Sequence, residues 1–116
     1  MDEFSEYMLD LFRLFGRITL RRMFAGRGLF RDGIMFGLVY DETLYLKADA
    51  ENAIDFQRLN LKQFEYARQG RLIALSYYQA PDIVLEDQNE AAIWARRSFE
   101  AALRADASKS KKRRRD

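Results

Sequence analysis

The chain has 116 residues, 48% of them hydrophobic and 33% charged, which is the size and make-up of one globular domain. It contains no Cys and no His, which excludes disulfides, thiol nucleophiles and thiolate metal sites and removes the commonest general base and metal ligand. The net charge of +2 hides an asymmetry: residues 109–116, KSKKRRRD, carry +5, while residues 1–108, with 14 basic and 17 acidic groups, carry −3.

The charge break predicts a domain over residues 1–107 and a disordered, solvated basic tail over 108–116. Lys109, Lys111, Lys112, Arg113, Arg114 and Arg115 either bind nucleic acid non-specifically through phosphates or only keep the chain soluble. No apolar run approaches the roughly 20 residues of a membrane span. The start, Met1-Asp2-Glu3-Phe4-Ser5-Glu6, is acidic, unlike the basic start of a signal peptide. The expectation is a cytoplasmic protein with no membrane partner.

Phe4, Tyr7, Met8, Leu11, Phe12 and Phe15 recur at helical spacing, so the first element reads as an amphipathic helix with Gly16 after its end. Leu9 and Leu14 widen its apolar face, which leaves room for a second contact surface, such as a homodimer's. Ile18–Phe24 reads as a strand. Gly26 and Gly28 around Arg27 suggest a bulge or sharp bend, and Leu29–Arg31 leads into Asp32-Gly33, a type I′ hairpin signal. Ile34–Tyr40 is apolar on both faces and reads as a covered central strand. Asp41-Glu42 turns the chain into Thr43–Lys47, completing a three-stranded antiparallel meander.

Asp49 is placed to cap a helix from Ala50 to about Leu59, with Ala53, Ile54 and either Phe56 or Gln57 facing inward. A second hairpin, Phe64–Arg68 and Arg71–Tyr78, turns at Gln69-Gly70. Pro81 opens a short helical piece. Asp87 or Asn89 caps a last helix to about Ala105, whose inner stripe is Ala92, Ala95, Phe99, Ala102 and Leu103 with Trp94 at the edge. Glu100 and Arg104 are spaced for an i, i+4 pair. The predicted fold is α+β, in the order α-β(3)-α-β(2)-α, with a five-stranded antiparallel sheet flanked by helices.

The densest chemistry lies between Leu20 and Arg31, where Arg21, Arg22, Arg27 and Arg31 interleave with aromatics around two glycines. Arginine binds phosphate and carboxylate bidentately and stacks on rings. This is a candidate site for an anion or a partner's acidic patch. The alternative is a bent strand whose arginines pair with the body's own carboxylates. Gly26-x-Gly28 lacks the remaining residues of a phosphate loop. Asp49 and Glu51 are too few for a carboxylate metal loop, so no metal and no cofactor are expected. Tyr77 and Tyr78 with Ser76 offer hydroxyls without a partner base, and no catalytic residues are assigned.

The run RRMFAGRGLFRDGIMFGLVYDETLYLK, Arg21 to Lys47, resembles the N-terminal domain of the TfoX/Sxy family of competence regulators. The matching positions are Arg21-Arg22-Met23-Phe24, Gly26, Gly28-Leu29-Phe30, Asp32-Gly33, Met35-Phe36-Gly37-Leu38-Val39, Asp41 and Leu44-Tyr45-Leu46-Lys47. Phe56, Phe64-x-Tyr66, Ser76-Tyr77, Pro81, Leu85 and Trp94-Ala95 continue it. Ala25 and Gln63 depart from the pattern, where a Gly and a Pro are usual. Met23, Phe24, Gly26, Gly28, Asp32, Gly33, Phe36, Leu44, Tyr45, Lys47, Tyr77, Pro81 and Trp94 are expected to serve the fold. The family's two-domain members carry a C-terminal helical domain, and this chain is expected to be a stand-alone N-terminal domain.

The resemblance implies an antiparallel sheet flanked by helices and a role in turning on DNA-uptake genes. It also implies a transcription factor partner, the cyclic-AMP receptor protein in some members. Three functions follow: a non-enzymatic adaptor binding a transcription factor by protein contact, a direct nucleic-acid binder through the arginines and tail, and a small-molecule sensor.

Overall fold

Three times the chain reverses on a pair of left-handed residues. Asp32 and Gly33 (φ 51° and 78°), Asp41 and Glu42 (50° and 60°), and Gln69 and Gly70 (52° and 75°) have the positive φ at both positions that a type I′ hairpin requires. The computed structural model describes residues 2–23 and 26–115, with side chains through Lys109. Its elements are α1 (Glu3–Leu11), β1 (Thr19–Met23), β2 (Gly26–Arg31), β3 (Ile34–Tyr40), β4 (Thr43–Lys47), α2 (Ala53–Gln57), β5 (Gln63–Arg68), β6 (Arg71–Gln79), α3 (Asp82–Glu86) and α4 (Gln88–Arg115). The strands form one antiparallel sheet in the order β1-β2-β3-β4-β6-β5.

The fold is the α+β class expected, but the sheet has six strands rather than five. The segment read as bending at Gly26 reverses fully, so β1 and β2 are separate paired strands with Met23 opposite Gly26. Close backbone approach makes this possible. A Cβ on Gly26 would lie 2.1 Å from the Val39 carbonyl oxygen, so only glycine fits beside β3 there. The irregularity lies one strand pair away, between β2 and β3, where Phe30 faces Met35 and Leu29 faces Gly37, leaving Phe36 unpaired.

Leu29, Val39, Leu44 and Leu46 lie beneath the helices in one buried cluster with Met8, Phe12, Phe36, Phe56, Val84 and Trp94. Phe12, Phe36 and Phe56 are fully buried, each contributing roughly 2–3 kcal/mol. Phe12 and Phe15 meet the Phe36 ring edge-on, at centroid distances of 5.6 and 5.0 Å. The buried side of α4 is mostly small (Ala91, Ala92, Ala95, Ser98, Ala101 and Ala102), so the helix backbone can lie close to what it covers.

Several local expectations shift. Asp2 caps α1, accepting a hydrogen bond from the Ser5 N–H at 2.7 Å. The helix then ends at Leu11, and Phe12–Phe15 continue as turns before Gly16. α2 is half its predicted length. Asp49 Oδ1 accepts from the Glu51 and Asn52 N–H groups, and Asn52 Nδ2 donates to the Lys47 carbonyl, which fixes residues 49–52 as a turn instead of a first helical turn. Phe56 is the buried residue there and Ile54 is exposed. Asp87 caps α4 as expected, accepting from the Asn89 and Glu90 N–H groups. Leu103 is exposed, and Trp94 is buried against Phe56 instead of at the stripe's edge. Arg104 does not pair with Glu100 but reaches Asp49, at 2.5 and 3.0 Å, and Glu51 at 2.8 Å. α4 also stays helical to Arg115, past its predicted end near Ala105 and through the segment expected to be disordered. Alanine, lysine and arginine are strong helix formers, and cations suit a helix C-terminus. Among the described residues, no helix is long and apolar enough to cross a membrane.

The sheet's other face has its own smaller packing. Leu38 and Phe64 are buried outside the main cluster, and Phe64 meets Tyr40, Tyr45 and Tyr66 at 5.3, 4.8 and 5.9 Å. Phe64 is thus the ring on which three tyrosines of this face meet.

Candidate functional site

The four arginines are distributed by strand alternation and by their place in the sheet. Arg22 pairs in register with Arg27 across β1 and β2, so both project on the helix side. Arg31, four residues after Arg27 on β2, falls on the same side. Arg21 faces Gly28 and projects from the opposite face.

The two β2 arginines are absorbed into the fold. The Arg27 guanidinium donates to Asp2 at 2.6 and 3.0 Å and to the Ser5 hydroxyl at 2.8 Å, and it lies over Phe4 at 5.5 Å. The hydrogen bond from Arg27 holds the Asp2 carboxyl well below the usual carboxylate range, with the Ser5 N–H assisting. Arg31 is sandwiched between the Phe15 ring, 4.5 Å away, and Phe99, 5.2 Å away, with Asp32 at 3.8 Å. Here the alternative reading, arginines paired with the body's own carboxylates, describes the geometry.

The two β1 arginines remain presented to solvent. β1 is an edge strand, so among the described residues one side of its backbone has no neighbouring strand. Arg21 and Arg22 are both exposed. Arg21 lies over the Phe30 ring at 4.6 Å. Arg22 has no ion pair among the described residues. It borders an open groove of about 690 Å³ lined by Phe4, Arg22, Gly26, Arg27, Val39, Asp41 and Glu42. The groove therefore runs from cationic Arg22 to the acidic β3–β4 turn.

The remaining motif residues are distributed through the sheet and helices. Met23, Phe30 and Met35 close over Gly28, where a Cβ would lie 2.6, 2.8 and 3.2 Å from their atoms. Asp32 and Gly33 make the β2–β3 turn, Phe36 and Leu44 enter the main core, and Tyr45 packs on Phe64. Lys47 and Tyr77 face one another across β4 and β6. Pro81, buried, precedes α3, and Trp94 packs on Phe56. Phe24 and Ala25 lie outside the described residues, as do the side chains of Lys111, Lys112, Arg113, Arg114 and Arg115. Lys109 is exposed on α4.

The sequence reasoning missed what holds the inner arginines. Asp2 appeared only as one charge of an acidic N-terminus, yet it caps α1 and clamps Arg27. Its place directly before the apolar stripe was a usable N-cap signal. No sequence signal places Phe99, 68 positions away, against Arg31. Among the described residues, no group of three or more carboxylates is placed to hold a metal ion.

The sequence is 28% identical over 83 residues to the DNA transformation protein TfoX1 of Aliivibrio fischeri, a match covering 72% of this chain and 40% of that relative. The family model of the TfoX N-terminal domain matches residues 10–102, from the end of α1 through the buried part of α4. The chain belongs to the TfoX N-terminal domain family.

Proposed function

We propose that the protein regulates transcription of DNA-uptake genes as a non-enzymatic, protein-binding adaptor. The observation that carries this reading is the exposed β1 edge, with Arg22 beside the groove and Arg21 on the opposite face. A free strand edge supplies backbone donors and acceptors for an added strand, and two arginines select an acidic one. The occupant would be an extended acidic segment of a transcription factor, of which the cyclic-AMP receptor protein is the partner type that the family resemblance implies. The name of the Aliivibrio relative supports the link to DNA transformation.

A second reading, direct nucleic-acid binding, draws on α4. The helix continues past Ser108 into a stretch with six cations, whereas residues 1–108 carry a net charge of −3. Such an arm suits phosphates without reading sequence.

Fluorescence anisotropy on promoter and scrambled duplexes at two salt concentrations separates the two. The compared proteins are the wild type, a variant with the six tail cations changed to Gln, and Arg21→Glu/Arg22→Glu. The adaptor reading expects weak, sequence-blind, salt-sensitive binding that disappears with the tail charges. Promoter preference that survives tail neutralisation and falls with Arg21→Glu/Arg22→Glu would replace it with direct readout.

A further inference from the structure

A second cationic site lies at the other end of the meander, where α4 passes the ends of β3, β4 and β6. A cavity of about 320 Å³ opens there, and its lining includes Phe30, Met35, Lys47, Tyr77, Asp106 and Lys109. Ala102 and Ala105 of α4 also line it, and their small side chains leave the space open. The cavity has a cationic part and an apolar part. Lys47 Nζ donates to the Ser76 hydroxyl at 2.8 Å and lies 5.1 Å from the Tyr77 ring centroid. Phe30 and Met35, in register across β2 and β3, supply apolar wall.

Lys47 is the unusual member. It is partly buried and makes no ion pair among the described residues. Burial pushes its pKa down, the Lys109 charge adds to that, and Asp49 acts in the opposite direction. Burial also pushes the Tyr77 hydroxyl up to about 12, so it stays neutral and able to donate a hydrogen bond. Among the described residues, Asp106 is the one carboxylate lining the cavity against two lysines. A desolvated cation beside a second cation is stabilised by an added anion more than a solvated lysine would be. A cavity with a few convergent polar groups and an apolar wall has the form of a small-molecule site.

We propose that this cavity binds a small organic anion, its phosphate or carboxylate between Lys47 and Lys109 and its apolar body against Phe30, Met35 and Tyr77. Lysine suits either head group as a point charge. Both lysines are needed. The apolar wall makes an aromatic or aliphatic anion bind more tightly than an inorganic one. This site meets the β1 edge at the Phe30 ring, over which Arg21 lies, but it does not rest on the adaptor reading, and its failure would leave that reading untouched.

The test is calorimetry and methyl NMR on the full chain in 0.15 M salt with phenyl phosphate, benzoate and inorganic phosphate as probes. At that salt, exposed tail charges are screened beyond about 8 Å. Phenyl phosphate or benzoate should bind at least ten-fold more tightly than inorganic phosphate. Shifts should centre on the Met35, Ala102 and Ala105 methyls. Lys47→Gln and Lys109→Gln should each weaken binding at least ten-fold, and the exposed Lys109→Gln tests the site without risk to folding. Tighter binding of phenyl phosphate would identify a phosphate ligand, and tighter binding of benzoate a carboxylate. The proposal is overturned if neither aromatic probe outbinds inorganic phosphate, if Lys109→Gln leaves affinity unchanged, or if the shifts map elsewhere.

Discussion

Arg27 and Arg31 on β2 and Arg21 and Arg22 on β1 sit within eleven residues of each other, yet they do different work. β2 has a neighbour on both sides and helices above it, so each of its arginines is enclosed by α1, the turns after it, or α4. β1 has one neighbour, and its arginines meet solvent. An arginine cluster in sequence is therefore not a cluster in function. Edge position and the contacts made by the neighbouring helix and turns decide which cations stabilise the fold and which remain available to a partner.

The contrast breaks most completely if β2 cannot lie against β3. Gly26→Ala places a methyl 2.1 Å from the Val39 carbonyl oxygen, which belongs to backbone and has little freedom to move. We expect a loss of about 3 kcal/mol in chemical denaturation. Gly33→Ala, with open space around the added methyl but φ at 78°, should cost only about 1 kcal/mol.

Arg31→Ala sharpens the contrast from the buried side. It removes a guanidinium lying between two phenyl rings, and we expect about 2 kcal/mol of destabilisation by the same measurement. Arg22→Ala should change stability by less than about 0.5 kcal/mol.

Acidification tests the clamps at lower energy. Hydrogen bonds from Arg27 and Arg104 lower the pKa of Asp2 and Asp49 respectively. A carboxylate with a depressed native pKa contributes stability that is present above its unfolded pKa, about 4. That contribution is lost as pH falls through the native value. Stability should therefore decline below about pH 4, and Asp49→Asn should flatten part of that decline. At neutral pH, Asp49→Asn should cost about 1 kcal/mol, the upper range for a partly exposed pair.

Much of this architecture was legible because it is local. Asp32-Gly33, Gln69-Gly70 and the acidic Asp41-Glu42 announced three hairpins, Pro81 and Asp87 announced two helix starts, and the motif from Arg21 to Lys47 announced the family. The extra strand was not legible, because Gly26 and Gly28 permit both a bend and a reversal, and the choice is made by the approach of β3. The exposure of Ile54 and Leu103 was missed because helical periodicity gives a stripe but not its width. At the candidate site, the four arginines could be named from sequence. Their division could not, because it depends on contacts with Asp2, Phe15 and Phe99 that only the folded chain brings together.

The most direct test of the central claim is the level of DNA-uptake transcripts in cells producing wild type or Arg21→Glu/Arg22→Glu, with the stability of both proteins measured alongside. The account predicts a variant within about 1 kcal/mol of wild type in stability, the Arg21–Phe30 contact being lost, that no longer raises those transcripts. A stable variant that raises them as wild type does would contradict it and remove the β1 edge as the partner surface.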